Sequence, residues 1–346
     1  MFQSIDRKIG VLLINLGTPN SPDTPDVHRY LNEFLTDGRV IDIPYIQRQL
    51  LVRLFISPFR APASGKSYRA IWTKRGSPLK FISQDLSTAL QQSLDEQYPD
   101  QYKVVLAMRY QSPDIETGLM ELRRARVSRI IVVPLFPQYA SASTGSAHQR
   151  VMEVISQWQV IPDLKLIQSF YDHAGYIHAF AELGRSYNPN EYDHILFSYH
   201  GIPQRQMRKA DDCNHCLQTP TCCHHISDKN QSCYSAQCHA TTKALAAALQ
   251  LSPDRYSISY QSRLGKDPWM QPYTIRVLEE LAQRGIKKIL VFCPAFVADC
   301  LETIFEISTE YQEEFEKWGG EKVQLVESLN AHPTWVAALS DIVTAN

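Results

Sequence analysis

The run IGVLLINL at residues 9–16 decides how this chain is interpreted, because six of its eight residues are Val, Ile or Leu. It ends at Gly17-Thr18-Pro19, where the chain must turn. A continuous apolar run of this length is typical of a strand that is buried on both faces, as the strands of a parallel sheet are. The run is too short to span a membrane and carries no signal-peptide cleavage pattern, so we predict a cytoplasmic protein.

Seven further runs of this kind follow along the chain, bounded by turn residues and separated by longer amphipathic stretches. Together the eight runs predict an α/β fold with two doubly wound, Rossmann-like domains, each built on a mainly four-stranded parallel sheet flanked by helices. We place the domains at residues 1–170 and 171–320, and we expect the last strand and helix, in residues 321–346, to pack back on the first domain. The seven runs lie at residues 104–110, 129–136, 164–170, 194–200, 256–262, 287–296 and 323–329.

Composition narrows the class of protein. The chain has 346 residues, of which 44% are hydrophobic and 21% are charged, and this is the balance of a globular protein with room for two domains. The net charge is -1 and no basic stripe with interleaved aromatic residues occurs, so we exclude nucleic acid as a partner. Eight cysteines in a cytoplasmic chain indicate metal ligation or reactive thiols rather than disulfides.

One segment outside the α/β pattern, residues 45–62 (YIQRQLLVRLFISPFRAP), combines apolar and basic side chains. Two interpretations of it stay open. A helix with such an apolar stripe usually packs on a core. Alternatively, the segment is an apolar lip that grips a hydrophobic ligand or touches a membrane surface. Its apolar residues are Leu50, Leu51, Leu54, Phe55 and Ile56, with Arg48, Arg53 and Arg60 close by.

A second unusual segment, residues 213–233, holds five of the eight cysteines, and we call it the cysteine-rich segment. It begins with a C-x2-C pattern and also contains two histidines beside the adjacent pair at 222 and 223. Four thiolates can bind tetrahedral Zn2+ or a [2Fe–2S] cluster, and the spacing does not decide between these metals. Unrelated free thiols or disulfides are the alternative. The cysteines are Cys213, Cys216, Cys222, Cys223 and Cys233.

Two sites at the ends of predicted strands carry side chains suited to catalysis. His200 ends the run at 194–200, where an imidazole can accept protons or bind a metal, although it can also be an ordinary hydrogen-bonded histidine. Glu302 and Glu306 follow the run at 287–296, and their spacing places both carboxylates on one helix face. Like charges at this spacing cost a helix roughly 0.2–0.5 kcal/mol per pair, which a bound cation would relieve. A solvated row of Glu or a helix cap is the competing interpretation.

Several stretches together resemble the ferrochelatase family, over nearly the whole chain from about residue 9 to 338. Each stretch alone is modest evidence, but their order and spacing together are specific to the family. FSYHGIP at 197–203 and LETIFE at 301–306 look most like those of enterobacterial-type members. The resemblance implies a two-domain chelatase-like fold and an enzyme that inserts Fe2+ into protoporphyrin IX to form protohaem, the last step of haem biosynthesis. Further supporting stretches are LLINLGTP (12–19), FLTDGRVIDIP (34–44), MRYQSP (108–113), PLFPQYASASTGS (134–146) and YQSRLG (260–265).

The resemblance also implies roles for individual residues. His200 and Glu302 match the residues that face the porphyrin centre, one moving protons and the other delivering the substrate Fe2+, in either order. Glu306 is implied as a third catalytic residue that extends a row of carboxylates. The residues implied to bind the porphyrin are Leu16, Arg60, Ser77, Arg109, Tyr110, Tyr139, Trp269 and Phe296.

Two departures from the family pattern stand out. Cys300 lies where animal-type members carry a second histidine, so any relay through that histidine differs here. The cysteine-rich segment is an insertion relative to simple members, and some bacterial ferrochelatases are similar in carrying a [2Fe–2S] cluster on such an insert. That similarity favours the cluster over zinc, with ligands Cys213, Cys216, Cys233 and either Cys222 or Cys223.

Three alternatives remain at this stage. The first is a chelatase for another tetrapyrrole, either coproporphyrin or sirohydrochlorin, although the apolar lip favours a macrocycle with apolar substituents. The second is a non-catalytic haem- or redox-sensing relative, against which His200 and Glu302 argue. The third, a periplasmic-type binding module, is disfavoured by the cysteine usage. Whether the cytoplasmic protein also associates with a membrane through the lip stays open.

Overall fold

The computed structural model describes residues 8–263, 265 and 267–346. Within these residues, eight strands form two parallel sheets of four, which confirms the predicted fold class. The strand order is β2-β1-β3-β4 in the first sheet and β6-β5-β7-β8 in the second, so both sheets have the same topology. The strands are β1 Ile9–Gly17, β2 Tyr102–Tyr110, β3 Arg129–Pro134, β4 Asp163–Leu166, β5 His194–His200, β6 Tyr256–Gln261, β7 Lys288–Phe292 and β8 Lys322–Leu325.

Helices connect the strands, as parallel pairing requires. In the part of the chain that the structure describes, three segments are π-helical, with main-chain hydrogen bonds that span five residues instead of four: Leu51–Ile56, Ser141–Gly145 and Leu301–Tyr311. The α-helices are α1 Thr24–Leu35, α2 Tyr45–Leu50, α3 Ser57–Ile71, α4 Pro78–Gln97, α5 Ile115–Arg124, α6 Ser146–Ile155, α7 Ala174–Arg185, α8 Gln204–Lys209, α9 Tyr234–Ala248, α10 Thr274–Gln283, α11 Gln312–Lys317 and α12 Pro333–Thr344.

The central strand of each sheet is buried on both faces. In β1, Leu12, Leu13 and Ile14 are fully buried between β2 and β3, because the continuous apolar run meets a helical layer on either side. At its carboxyl end Gly17 pairs with Tyr110 of β2 and has a φ of +109°. A Cβ at this position would lie 1.9 Å from the Tyr110 carbonyl oxygen, so only glycine fits.

The chain divides into two compact units. The first contains the described residues up to Phe136 together with Ser141–Ser169 and Ala331–Asn346, and the second contains Pro137–Ala140 and Phe170–Asn330. Residues 321–346 are therefore divided between the units, because β8 pairs with β7 in the second sheet whereas α12 packs on α4 in the first unit.

Several predicted runs extend past the strands that they contain. The runs at 164–170, 287–296 and 323–329 end as strands at Leu166, Phe292 and Leu325. The residues that follow stay apolar because they are buried at the carboxyl edge of each sheet, where Ile167 N and Val326 N still donate one hydrogen bond each, to Val132 O at 3.0 Å and to Val291 O at 2.8 Å, before the pairing stops. Ile167, Phe170, Val297, Val326 and Leu329 are all buried. Burial and strand pairing therefore end at different residues.

The apolar lip is a continuous helical segment formed by α2, the π-helical turn at Leu51–Ile56 and the first turns of α3. The core-packed interpretation is wrong for most of its apolar side chains, since Phe55 is 61% exposed and Phe59 is 78% exposed. Among its apolar side chains, Val52 and Ala61 are fully buried. In the described ranges, no helix combines the length and apolar character that crossing a membrane requires.

A buried histidine at the start of β5 predicts how the stability of the second unit depends on pH. Burial lowers the pKa of His194 to about 4, helped by Arg284 and Arg255, and its Nε2 lies 2.8 Å from Ser257 Oγ. Because the folded pKa is depressed, the unfolded chain binds the proton more readily, and stability is lost as the pH falls below 6.5.

We expect this single group to reduce the free energy of unfolding by about 2 kcal/mol between pH 7.5 and pH 5.0. Urea unfolding of wild type and His194→Gln at both values measures the effect, and the variant should lose about 2 kcal/mol less than wild type. His178→Gln, at an exposed position of α7, is the matched control and should behave as wild type. Equal pH dependence in wild type and His194→Gln would contradict the prediction.

Candidate active site

The carboxyl edge of the second sheet brings the predicted reactive residues of that unit together. In a sheet of this strand order, the chain leaves β5 and β7 in opposite directions, and ligands bind at such a switch point. His200 is the last residue of β5, and Phe296 follows β7. The His200 ring centroid lies 6.4 Å from the ring of Phe296 and 6.4 Å from that of Trp269. His200 is therefore flanked by two aromatic side chains that sequence analysis assigned to the porphyrin.

The hydrogen bonds of His200 define which ring nitrogen can react. Its Nδ1 lies 2.6 Å from the carbonyl oxygen of Gly201. A carbonyl oxygen can only accept, so Nδ1 carries the hydrogen, and Nε2 of the neutral ring keeps its lone pair. The backbone at this point is also fixed, because Gly201 N donates to Gln261 O at 2.8 Å and Tyr234 OH donates to His200 O at 2.9 Å.

Glu302 and Glu306 lie on the π-helical segment Leu301–Tyr311 and not on the α-helix that we expected. Both side chains are half-buried. The Glu306 carboxylate accepts hydrogen bonds from Ser262 N at 3.0 Å, from Tyr311 OH at 2.8 Å and from the amide of Gln261 at 3.2 Å. These donors stabilise its negative charge.

The start of this π-helix is held by a buried polar cluster. The Asp299 carboxylate accepts from Thr303 Oγ1 at 2.9 Å and from Asn330 Nδ2 at 2.8 Å. The neighbouring Cys300 thiol hydrogen-bonds to Glu302, and burial, together with the Glu302 charge, raises the pKa of Cys300 well above its ordinary value. The thiol therefore stays protonated and acts as a donor to Glu302. Cys300, which stands where animal-type members carry a second histidine, thus donates a hydrogen bond to Glu302.

Gln261 is a residue of this site that sequence analysis missed. Its side chain is 1% exposed, and it pairs with His200 in the β5–β6 register. Its Nε2 donates to Glu302 O at 2.8 Å, and its Oε1 accepts from Ser198 Oγ at 2.7 Å. A single amide therefore ties the strand of His200 to the helix of both glutamates. Sequence analysis could have found Gln261 because it is a polar residue at the end of the run 256–262, which was predicted to be a buried strand.

In the first unit, Arg109 and Tyr110 belong to a polar network at the end of β2. Arg109 Nη2 donates to Asp37 Oδ2 at 2.7 Å and its Nε to Ser146 Oγ at 2.7 Å, while Tyr110 OH donates to Asp37 at 2.9 Å. Burial alone would raise the pKa of Asp37, but the Ser146 hydroxyl, the Arg39 amide and the Arg109 charge together lower it. Tyr110 is fully buried, and direct contact of its side chain with a porphyrin stays a prediction.

The other residues that the resemblance assigned to the porphyrin differ in exposure. Leu16 is half-buried near the end of β1, and Tyr139 is half-buried in the loop 137–140 of the second unit. Arg60 is exposed on α3. Ser77 is buried before α4, where its hydroxyl lies 2.8 Å from Thr18 Oγ1. A porphyrin contact of these side chains stays a prediction.

The cysteine-rich segment connects α8 to α9 without regular secondary structure. The sulfur of Cys223 lies 3.4 Å from that of Cys222 and 3.9 Å from that of Cys233. Cys213 is exposed, and its thiol donates to Asp211 Oδ1 at 3.3 Å. Among the residues that the structure describes, no three His, Cys, Asp or Glu side chains are arranged to bind one metal ion.

The thiols of this segment differ in acidity. Cys233 is the N-cap residue of α9, where the Cys223 thiol and the backbone amides of Ala236 and Ser235 lower its pKa. Burial, followed by the nearby Cys233 and Cys222, raises the pKa of Cys216 to about 11. In the Cys223–Cys233 pair, the negative charge of a thiolate is therefore favoured on Cys233, and the thiolate is the form that binds metals.

Comparison with known proteins gives consistent matches. A family model described as Ferrochelatase matches residues 8–346. A protein named "Ferrochelatase" from Legionella pneumophila (strain Paris) is 48% identical over 334 residues, which is 96% of this chain and 98% of that protein. Another of that name from Coxiella burnetii (strain Dugway 5J108-111) is 42% identical over 337 residues, 97% of this chain and 93% of that protein.

Solved structures match at lower identity and bear on the fold alone. The structure titled "SirB from Bacillus subtilis with Fe3+" has a TM-score of 0.52 at 12% identity, over 97% of this chain and 94% of that one. The cobalt complex of the sirohydrochlorin chelatase SirB from Bacillus subtilis subspecies spizizenii has a TM-score of 0.53 at 12% identity, with the same coverage. A two-sheet α/β chelatase fold is therefore shared with these proteins.

The position of Gln261 leads to a prediction about stability. Gln261→Leu keeps the size of the side chain but leaves buried polar partners unsatisfied, so we expect the free energy of unfolding to fall by about 1–3 kcal/mol. Urea unfolding at pH 7.5 measures the change. Gln283→Leu, at an exposed position at the end of α10, is the control and should change it by less than about 0.5 kcal/mol. Similar effects of both substitutions would show that the buried amide has no special role.

Proposed function

The chain belongs to the ferrochelatase family, and we propose that it inserts Fe2+ into protoporphyrin IX to form protohaem, with His200 and Glu302 as the reacting groups. As a member of this family it is an enzyme, a metal-inserting chelatase of haem biosynthesis. The observation that carries the choice of reacting groups is the position of His200, 6.4 Å from the rings of both Trp269 and Phe296 at the switch point of the second sheet.

Metal insertion exchanges two pyrrole N–H protons for one Fe2+, so a proton acceptor must lie beside the macrocycle. The lone pair on Nε2 of His200 meets this need, because Nδ1 is held by Gly201 O. The flat faces of Trp269 and Phe296 are suited to stacking against a tetrapyrrole. In this proposal, the other contacts to the porphyrin come from Leu16, Arg60, Ser77, Arg109, Tyr110 and Tyr139.

The two glutamates supply the iron side of the reaction. Carboxylate oxygens bind divalent iron, and half-buried carboxylates on one helix attract a cation because it relieves their mutual repulsion. Glu302 lies in the first turn of the π-helix, with the Cys300 thiol as a donor, and Glu306 continues the row. We propose that Glu306 and Glu302 pass Fe2+ toward the macrocycle while His200 accepts the protons. The reverse assignment of His200 and Glu302 is the alternative that the assay below separates.

The substrate is proposed to be protoporphyrin IX because the chain exposes apolar side chains on its lip, which suit a macrocycle with apolar substituents better than one with additional carboxylates. The named activity of the structural neighbour SirB, a sirohydrochlorin chelatase, gives the main competing substrate. A non-catalytic haem-sensing relative is the competing function from another class.

The direct test is the loss of porphyrin fluorescence when Fe2+ is added anaerobically to enzyme and substrate. We expect faster turnover of protoporphyrin than of coproporphyrin or sirohydrochlorin, and His200→Ala should lower kcat by about 10²- to 10⁴-fold while porphyrin still binds. His178→Ala is the matched control and should retain full activity. If Glu302→Gln abolishes the acidic limb of the pH–rate profile and His200→Ala does not, the proton and iron roles are exchanged. Porphyrin binding without any insertion by wild type would support the sensing function instead.

We propose that the protein is cytoplasmic and that the apolar lip associates with a membrane surface. Support comes from the exposed apolar side chains of α2, the following π-helical turn and α3, of which Ile46 is 71% exposed. Arg53 and Arg60 are exposed on the same segment and suit anionic lipid headgroups. Arg48 has a different role, because it donates to the backbone carbonyls of Thr36 and Ile43.

The membrane proposal predicts that the protein sediments with vesicles that contain anionic lipid. Replacing Phe55 and Phe59 together by Ser should reduce the bound fraction by about 10-fold or more, because two large apolar side chains no longer enter the interface. Val160→Ser with Ile161→Ser, at exposed apolar positions elsewhere on the first unit, is the control. Equal binding by both double variants would remove the lip from the proposal.

We also propose that the cysteine-rich segment holds a [2Fe–2S] cluster on Cys213, Cys216, Cys233 and one of Cys222 and Cys223. The donor set supports this, because the sulfur of Cys223 lies 3.4 Å from that of Cys222 and 3.9 Å from that of Cys233. The Cys213 thiol is hydrogen-bonded to Asp211, and the described side chains are not yet arranged around one metal ion, so cluster binding would rearrange the segment. A cluster supplies electron-transfer chemistry when bound, and iron insertion requires none, so its role would be structural or regulatory.

Anaerobic purification tests the cluster proposal. We expect a coloured protein with visible charge-transfer absorption and two iron and two sulfide per chain, which is the content of one such cluster. Of Cys222→Ser and Cys223→Ser, only the one that removes a ligand should lose the colour, while Cys238→Ser, a fully buried cysteine outside the segment, should keep it. A colourless protein with stoichiometric zinc would contradict the cluster and leave the chelatase function intact.

A further inference from the structure

We propose that the first turn of α9 couples the cysteine-rich segment to the reacting edge of the second unit, with Tyr234 as a positioning residue for His200 and Gln237 as a positioning residue for the loop 137–140. The inference rests on the proposed role of His200 in the reaction. It requires only that the segment be ordered, and it makes no use of what the segment binds.

Tyr234 connects the cysteine-rich segment directly to His200. It follows Cys233, the last residue of the cysteine-rich segment, and its side chain is 8% exposed. Its hydroxyl donates to the His200 carbonyl oxygen at 2.9 Å.

This contact fixes the peptide plane that orients the imidazole. The oxygen of the peptide between His200 and Gly201 accepts from Tyr234, and its N–H donates to Gln261 O at 2.8 Å. The next carbonyl, Gly201 O, accepts from Nδ1 of His200 at 2.6 Å. Rotation of the first peptide would displace Gly201 O and release the ring. Tyr234 therefore acts on the direction of Nε2 without touching the reacting atoms.

Gln237 makes a parallel connection one helical turn later, on the same face of α9. Its side chain is 2% exposed. Its Oε1 accepts from Tyr139 N at 2.7 Å, and its Nε2 donates to Gln231 O of the cysteine-rich segment at 2.7 Å. One amide thus joins the segment to the loop that carries Tyr139.

The segment is fastened to the start of α9 from its own side by Asn230, a buried side chain. Asn230 Nδ2 donates to the backbone carbonyl oxygens of Cys222 at 2.9 Å and His225 at 2.8 Å. The backbone carbonyl oxygen of Asn230 accepts a hydrogen bond from Cys233 N at 2.8 Å. Disorder around Cys222 therefore loosens the start of α9, and with it the two contacts described above. Order in the segment and orientation of His200 are linked equilibria, and each favours the other.

Hydrogen exchange of the full chain, measured by mass spectrometry, tests this coupling. The segment is loosened by Asn230→Ala, which removes the buried side-chain donor to the carbonyl oxygens of Cys222 and His225. We expect this variant to raise exchange within the segment and also to raise exchange at residues 200–204 by about 5-fold, the size of one net hydrogen bond. Tyr234→Phe alone should raise exchange at residues 200–204 by a similar factor.

The decisive arm combines the substitutions. In the Tyr234→Phe background, loosening the segment should have no further effect on residues 200–204, because the connection is already broken. Tyr199→Phe is the matched control, because it removes another buried hydroxyl next to His200 on β5, one that is hydrogen-bonded to Thr242 Oγ1 at 2.9 Å. In the Tyr199→Phe background, loosening the segment should still raise exchange at residues 200–204 by about 5-fold. The coupling is refuted if loosening the segment leaves hydrogen exchange at residues 200–204 of the otherwise wild-type protein unchanged. It is also refuted if loosening raises that exchange as much in the Tyr234→Phe background as without this substitution.

A kinetic readout separates this inference from the proposed function. Tyr234→Phe should lower kcat about 5-fold with the KM for porphyrin unchanged, whereas Tyr199→Phe should leave both unchanged. Exchange coupling in a protein that inserts no iron would uphold the connection and refute the proposed function. Full activity of Tyr234→Phe together with uncoupled exchange would refute the inference and leave the chelatase function standing.

Discussion

The arrangement of this protein depends on a constraint of parallel sheets: a strand buried on both faces can present polar chemistry only where it ends. β1 and β5 are central strands of this kind: most of their buried side chains are apolar, and the buried polar ones, Asn15, His194 and Ser198, are hydrogen-bonded to other side chains. The strand order places the ends of β5 and β7 on either side of a switch point in the second sheet. At this switch point, β5 ends with His200, and β7 is followed by Phe296 and the helix of Glu302. The reactive edge is therefore a consequence of topology before it is a consequence of individual side chains.

A neutral amide solves the problem of joining these elements in a buried place. Gln261 donates to the glutamate helix and accepts from β5, so it satisfies polar groups on both sides without adding a charge. A carboxylate at this position would repel Glu306, and an apolar residue would leave the carbonyl of Glu302 without this donor. Tyr234 and Gln237 repeat the same principle on the other side of His200, where neutral buried donors and acceptors connect the cysteine-rich segment to the edge of the sheet.

The sequence predicted the parts of this structure that arise from local patterns. Continuous apolar runs located all eight described strands and their division into two sheets, and the end of β5 at His200 was correct. Strand ends such as Phe292 were missed, because buried loops remain apolar after pairing stops. The π-helix under Glu302 was missed because its hydrogen-bond pattern depends on the clamp formed by Asp299, Thr303 and Asn330, which are brought together by folding. Gln261 was missed for the same reason, since its four partners lie far from it in the chain.

The central claim is that His200 and Glu302 act on opposite faces of one macrocycle. A crystal structure of the protein with metal-free protoporphyrin IX tests it most directly. The account predicts the tetrapyrrole beside Trp269 and Phe296, with Nε2 of His200 directed at the pyrrole nitrogens from one face and the Glu302 carboxylate from the other. A macrocycle bound away from the ends of β5 and β7, or with both side chains on the same face, would contradict it.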